Sequence, residues 1–209
     1  MAEWVEGGAD GGRVRPGDNP FRSEAVDGLG YCPEAVGGWG VIEARWREAG
    51  YRGALVGPRG HGKTTLLFAL AQRYRGGGLR LPAGWPRAAL VYRLPQGRSR
   101  LPGVWRGRVR SDRRLMAIDG YERLGWWDRW LLGRRRGPTL VTAHRPTGLP
   151  TVVQCRTDGA LLGRLIGRLS PAAAARLTGA EVEALRARHG GDVRLALREL
   201  YDRAGRGEV

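Results

Sequence analysis

One run of eight residues, Gly57-Pro58-Arg59-Gly60-His61-Gly62-Lys63-Thr64, limits this chain more than any other feature. It matches GxxxxGK followed by Ser or Thr, and it has the setting that pattern requires. A short apolar strand, Ala54-Leu55-Val56, precedes it, and a helix follows from Gly62 to about Tyr74, closed by Gly76-Gly77-Gly78. Glycines in such a loop let backbone N–H groups curl around phosphate oxygens. The first helical turn adds unpaired donors and the positive end of a dipole. Lys63 would reach the outer phosphates and the Thr64 hydroxyl would ligate Mg²⁺, with Thr65 in the same turn. Of the 36 basic residues, Lys63 is the single lysine, at a position a guanidinium fits poorly.

The same count frames the charge. Net +16 invites a nucleic-acid reading, yet so strong a preference for Arg looks like a compositional bias rather than selection for DNA. Distribution says more than the total. Residues 1–50 carry five Arg against nine acids, whereas Ala49 to Ser111 holds thirteen basic residues and no acid. That 49–111 block is a candidate surface for a polyanion beyond a nucleotide, or simply a solvated face. Apolar residues make up 42% of 209, enough for a buried core, and no apolar run approaches the length of a membrane helix. Two distant cysteines, Cys32 and Cys155, argue against a disulfide scaffold. With no signal-peptide pattern, a cytoplasmic protein is expected.

Residues 1–33 are punctuated by Gly and Pro and read as a flexible leader. Residues 34–157 read as the nucleotide-binding core. Ala35–Ala49 suits a helix, and further strands are expected at 88–94, 115–118, 139–143 and 151–155. Residues 94–114 read as loop or one helical turn, and Glu122–Arg136 as a helix. Its Trp126 and Trp130 are either core or an exposed patch for a protein partner. Residues 158–209 read as a small helical lid with helices over 159–169, 181–188 and 193–204, the last N-capped by Asp192. The expected fold class is α/β: a parallel sheet of about five strands flanked by helices, with a C-terminal helical lid.

A second site signal is Leu115-Met116-Ala117-Ile118-Asp119, four apolar residues then a carboxylate. At a strand's C-terminal edge, Asp119 would share Mg²⁺ with Thr64. Hydrolytic proteins of this design often place Glu directly after that acid. Here Gly120 stands there, and Glu122 is the nearest candidate catalytic acid. Thr142, His144 and Arg145 end the next strand. If that strand lies between the other two, Thr142 or His144 would sense the γ-phosphate and Arg145 would contact phosphate in the same or a neighbouring subunit.

With GPRGHGKT, LMAID, the VTAHR strand end and HGGDVRLALREL together, residues 52–203 resemble a P-loop NTPase of the AAA+ or origin-recognition-like kind. The chain is also similar to small uncharacterised bacterial ATP-binding proteins with GYE after the acid and an AHR-type strand end. The AHR run is similar to the switch histidine of ABC ATPases, but no LSGGQ-like signature precedes Asp119. The AAA+ resemblance implies ATP as ligand, a lid arginine at Arg194 within Gly191-Asp192-Val193-Arg194, possible oligomerisation, and coupling to a protein or nucleic-acid partner. The segment between Val141 and Thr151 is too short for the helix that normally carries an arginine finger.

Three functions fit these residues. The first is a slow ATPase acting as a nucleotide-dependent switch. The second is a small-molecule kinase using Arg98, Arg100, Arg106, Arg108 and Arg110 as a phosphate clamp. The third is a non-hydrolysing nucleotide-binding module, in which the same arginines with Trp105 bind single-stranded nucleic acid.

Overall fold

A computed structural model describes residues 14–97, 99–109 and 113–209. Five strands form one all-parallel sheet: β1 (Arg52–Val56), β2 (Ala89–Arg93), β3 (Leu115–Asp119), β4 (Thr139–Ala143) and β5 (Thr151–Gln154). Their spatial order is β2-β3-β4-β1-β5, so β4 does lie between the strand preceding the glycine loop and the strand ending in Asp119. This is the α/β arrangement expected of the sequence, a five-stranded parallel sheet flanked by helices.

The period-two alternation of a strand, with both sides covered, explains why the central strands are mostly apolar on both faces. Leu55, Leu115, Ala117 and Leu140 face one layer, built on α2 (Trp39–Glu48) and α3 (Lys63–Arg75) through Ile42, Trp46, Leu66, Leu70 and Tyr74. Ala54, Val56, Met116, Ile118 and Val141 face the other, where Leu94, Leu101, Val109, Leu124 and Leu132 cover them. That second layer includes α4 (Gly103–Arg108) and α5 (Trp126–Gly133). Trp46 is fully buried, donates Nε1–H to the Thr139 carbonyl at 3.4 Å, and meets Tyr51 and Tyr74 edge-on.

Several elements differ from the sequence-based expectation. The helix expected over 35–49 begins at Trp39, because Gly37 and Gly38 take φ of +91° and +90° after a 3-10 turn at Pro33–Val36. The helix expected over 122–136 is two pieces. A 3-10 turn at Tyr121–Arg123 gives way to extended backbone at Leu124 and Gly125 before α5 starts.

The chain divides into two compact units. One is Gly30–Arg156, carrying the sheet. The other joins the described residues through Leu29 to Thr157–Val209. In this helical unit α1 (Ser23–Gly28) precedes α6 (Gly159–Leu169), α7 (Pro171–Arg176), α8 (Gly179–Arg188) and α9 (Val193–Gly205). Helix α7 was not expected, although Ser170 caps it and Pro171 opens it. Part of the expected leader, residues 1–13, lies outside the described residues. Its later part is built in: Phe21 is buried among Leu162, Ile166 and Leu200, and the Asn19 amide donates to the Tyr201 carbonyl at 2.9 Å.

Trp46→Ala removes the largest fully buried side chain of the sheet unit. A loss of about 3–5 kcal/mol in unfolding free energy is expected, measured by denaturant titration.

Candidate functional site

The site is assembled at the C-terminal ends of β1, β3 and β4, where a parallel sheet presents its loops. The end of β1 is held from both sides: Gly57 N–H donates to Ala143 at 3.1 Å, and Val56 accepts from Cys155 N–H at 2.6 Å. That close approach dictates glycine at 57, since an added Cβ would lie 2.3 Å from the Cys155 carbonyl oxygen. Gly60 and Gly62 take φ of +78° and +76°, turning the loop back so that α3 starts directly beneath it. Gly62 is the N-cap and offers no side chain to the first-turn amides, whose N–H groups point to the N-terminal end of the helix. Pro58 and Arg59 are exposed and His61 is half-buried; Thr65 is exposed, one residue past Thr64.

Lys63 is buried, and its ammonium donates to the Pro58 carbonyl at 2.6 Å, across the loop it would serve. Tyr31 lies against Gly62, and burial raises its phenol well above the usual range, aided by Cys155 and Cys32. Burial likewise pushes the Cys155 thiol up to about 11, opposed by the Lys63 charge.

Asp119, buried at the end of β3, gathers the polar groups. Its Oδ1 accepts from Thr64 Oγ1 at 3.0 Å and from Thr142 Oγ1 at 2.7 Å. Thr142 Oγ1 in turn accepts Gly120 N–H at 2.9 Å, which fixes the direction of its own donated hydrogen. The other carboxylate oxygen, Oδ2, accepts from Arg93 Nε at 3.1 Å. Arg93 stands at the same level on β2 as Asp119 on β3, and its guanidinium lies 5.5 Å from the Phe68 ring centre. Sequence reasoning passed over Arg93. A basic residue ending the strand before Leu94-Pro95 was the available signal, but its meaning depends on the β2–β3 register.

The missing glutamate at 120 has a structural cause. Gly120 adopts φ +92°, ψ +43°, a left-handed conformation in which a side chain is strained, and an added Cβ would meet the Arg123 guanidinium. The acid therefore sits two residues on. Glu122 is exposed and its Oε1 pairs with His144 Nε2 at 3.2 Å. Arg145 is exposed beyond it. Arg194, at the start of α9, belongs to the helical unit, where it is exposed and pairs with Asp27 at 2.9 Å.

The donor set suits a hard divalent cation. A hydroxyl and a carboxylate oxygen 3.0 Å apart offer oxygen ligands of the kind Mg²⁺ takes while keeping several waters. Among the described residues no cluster of three or more His, Cys, Asp or Glu exists to hold a metal without such help. No helix of the described residues is long and apolar enough to cross a membrane.

Of the expected arginine clamp, the side chains of Arg98, Arg108 and Arg110 lie outside what is described, and Arg106 is engaged elsewhere. Arg106 forms a two-pronged pair with the buried Asp128, Nε to Oδ1 at 2.8 Å and Nη2 to Oδ2 at 3.0 Å, and Asp128 also accepts Leu101 N–H. Its charge is thus spent on holding the loop to α5. Arg100 is exposed, Trp105 is half-buried against Tyr92 at 5.4 Å, and Arg98 and Arg110 lie outside the described residues.

No protein-family model matches this chain, and no curated protein does. Among solved structures it is similar to three variants of RuvB from Thermotoga maritima. Two are 21% identical with a TM-score of 0.46, each over 79% of this chain and 61% or 62% of theirs. The third is 22% identical with a TM-score of 0.45, over 78% of this chain and 57% of its own. The chain therefore spans about three fifths of the length of these structures.

The Cys155 thiol supplies a pH test. In the folded chain it keeps its proton up to about pH 11, whereas the unfolded thiol loses it near 9.0. The folded state then binds more protons, so stability falls as pH rises from about 9 to about 11. Cys155→Ala is expected to flatten that part of the stability profile, read from unfolding midpoints across alkaline buffers.

Proposed function

We propose that this protein is an ATP-binding P-loop NTPase of the AAA+ type, a nucleotide-dependent switch with slow hydrolysis. The reading is carried by one observation: the Thr64 hydroxyl and the Asp119 carboxylate, 55 residues apart in sequence, meet at 3.0 Å beside a glycine loop that bears Lys63. The origin-recognition-like subdivision of that class belongs to the proposal and rests on the sequence motifs alone.

In this reading Gly57 to Thr65 cradle the triphosphate with main-chain amides. The Lys63 ammonium exchanges the Pro58 carbonyl for phosphate oxygens. Thr64 and Asp119 would hold Mg²⁺, which would supply charge neutralisation on the outer phosphates. Thr142, through Asp119 and Gly120, keeps the carboxylate turned toward Thr64. Glu122 would act as base toward water once released from His144, and both are exposed enough for that pair to be weak. An acid held away from the reacting water is the physical reason to expect slow turnover. Arg145 and Arg194 are the arginines offered to phosphate, the latter after leaving its exposed partner Asp27. Cytoplasmic residence fits two buried cysteines that form no disulfide. A protein or nucleic-acid partner, and an oligomeric active form, belong to the same reading.

A kinase draws little support, because Arg106 is already committed to Asp128. Phosphate release from ATP without an added acceptor distinguishes the switch from both the kinase and the non-hydrolysing module.

The direct test compares Mg-ATP affinity in wild type, Lys63→Ala and Asp119→Asn. Losing a charged hydrogen-bonding partner corresponds to roughly tenfold to hundredfold weaker binding for Lys63→Ala. Asp119→Asn is expected to lose the Mg²⁺ dependence of binding. Equal affinities in all three proteins would falsify the assignment.

A further inference from the structure

We propose that the outward face of α5 is a binding surface for single-stranded nucleic acid, formed by Trp126, Trp127 and Trp130 with Arg134. It goes beyond the nucleotide reading and stands without it.

Three tryptophans in five residues are left in solvent, with exposures of 74%, 48% and 37%. A core-facing helix would turn such rings inward, where each would bury a large apolar area. Here the inward side of α5 is already supplied by Leu132 and Asp128. The rings are not scattered. Trp127 and Trp130, one helical turn apart, stack at 4.9 Å with 16° between their planes, and Trp126 meets Trp127 edge-on at 5.3 Å. They form a contiguous step of π-surfaces.

Charge selects the occupant. The exposed Arg134 guanidinium lies 4.0 Å from the Trp130 ring centre, and exposed Arg136 follows. Among the described residues neither is paired with a carboxylate. The one acid of α5, Asp128, is 1% exposed and neutralised by Arg106. The loop before the helix adds to this. Gly125 N–H donates to Ser99 at 2.7 Å, and Asp128 accepts Leu101 N–H at 2.8 Å, which sets exposed Arg100 beside the start of α5. Aromatic faces interleaved with unpaired guanidiniums fit a ligand that is a polyanion and also carries flat rings. Single-stranded nucleic acid is both, and its bases, unlike those of a duplex, have faces free to stack. A second copy of this chain would bring arginine against arginine across the symmetric contact. An apolar protein surface would leave the guanidiniums unmatched.

The test is fluorescence anisotropy with a labelled short thymidine oligonucleotide, repeated with a uridine one, on the full chain. Wild type is expected to bind either strand at about 50 mM salt, with affinity falling linearly on a log–log plot as salt rises. Binding should quench tryptophan emission, which a purely structural role for these rings would not produce. The double variant Trp127→Ala, Trp130→Ala removes exposed rings and should unfold at the wild-type temperature while binding about tenfold or more weakly. Arg134→Ala should reduce the salt slope by about 1. Lys63→Ala should bind the oligonucleotide like wild type, so failure of the nucleotide reading is separable from failure here. No binding at low salt, or unchanged binding by the double variant, overturns the proposal. So does an equal preference for duplex, or self-association that the tryptophan substitutions abolish in a chain without affinity for the oligonucleotide.

Discussion

Everything at the head of the sheet is arranged around one buried carboxylate. Asp119 lies at the end of a strand whose every residue is buried, a place where a bare negative charge is expensive. Three side chains from three different elements remove that cost: Thr64 from α3, Thr142 from β4 and Arg93 from β2. None of the three is near Asp119 in sequence. The strand order, with β4 inserted between β1 and β3, is what makes the meeting possible, because it sets the two hydroxyls on the same carboxylate oxygen. The register of the sheet and the chemistry of the site are therefore one constraint. A slip of one residue in β3 would send the carboxylate to the opposite face and leave the hydroxyls without it.

How much of this could be read beforehand follows from the range of the interactions involved. The central strands were legible because burial on both faces favours apolar and β-branched residues, as in LMAI and TLVTA. The glycine loop was legible because its spacing is local, and Gly57, Gly60 and Gly62 each have a backbone reason for being glycine. The register-dependent parts were not. Arg93 matters only because β2 pairs with β3 so as to place it level with Asp119. Asn19 and Phe21 looked like leader because their partners, Tyr201 and Leu162 among them, lie at the far end of the chain. Periodicity alone left the tryptophans of α5 either inside or outside. The extended Leu124-Gly125 step decides it, by resetting the phase of the helix after the 3-10 turn.

The short stretch after Asp119 joins two surfaces of the sheet unit. Gly120 turns the chain with a left-handed residue, Tyr121–Arg123 form a single turn carrying Glu122, and α5 begins three residues later with the indole face. Arg129 of α5 reaches back to donate to the Glu122 carbonyl while lying over the Tyr121 ring. Glu122, paired with His144 on the strand end that also holds Thr142, is thus tied to both.

The solitary lysine has an experimental consequence of its own. With every other Lys or Arg position an arginine, nitrogen-15 enrichment of lysine at Nζ places one side-chain ammonium resonance in a spectrum of the whole protein. That resonance comes from the ammonium lodged on the Pro58 carbonyl, so the cradle can be watched atom by atom with no assignment problem to solve.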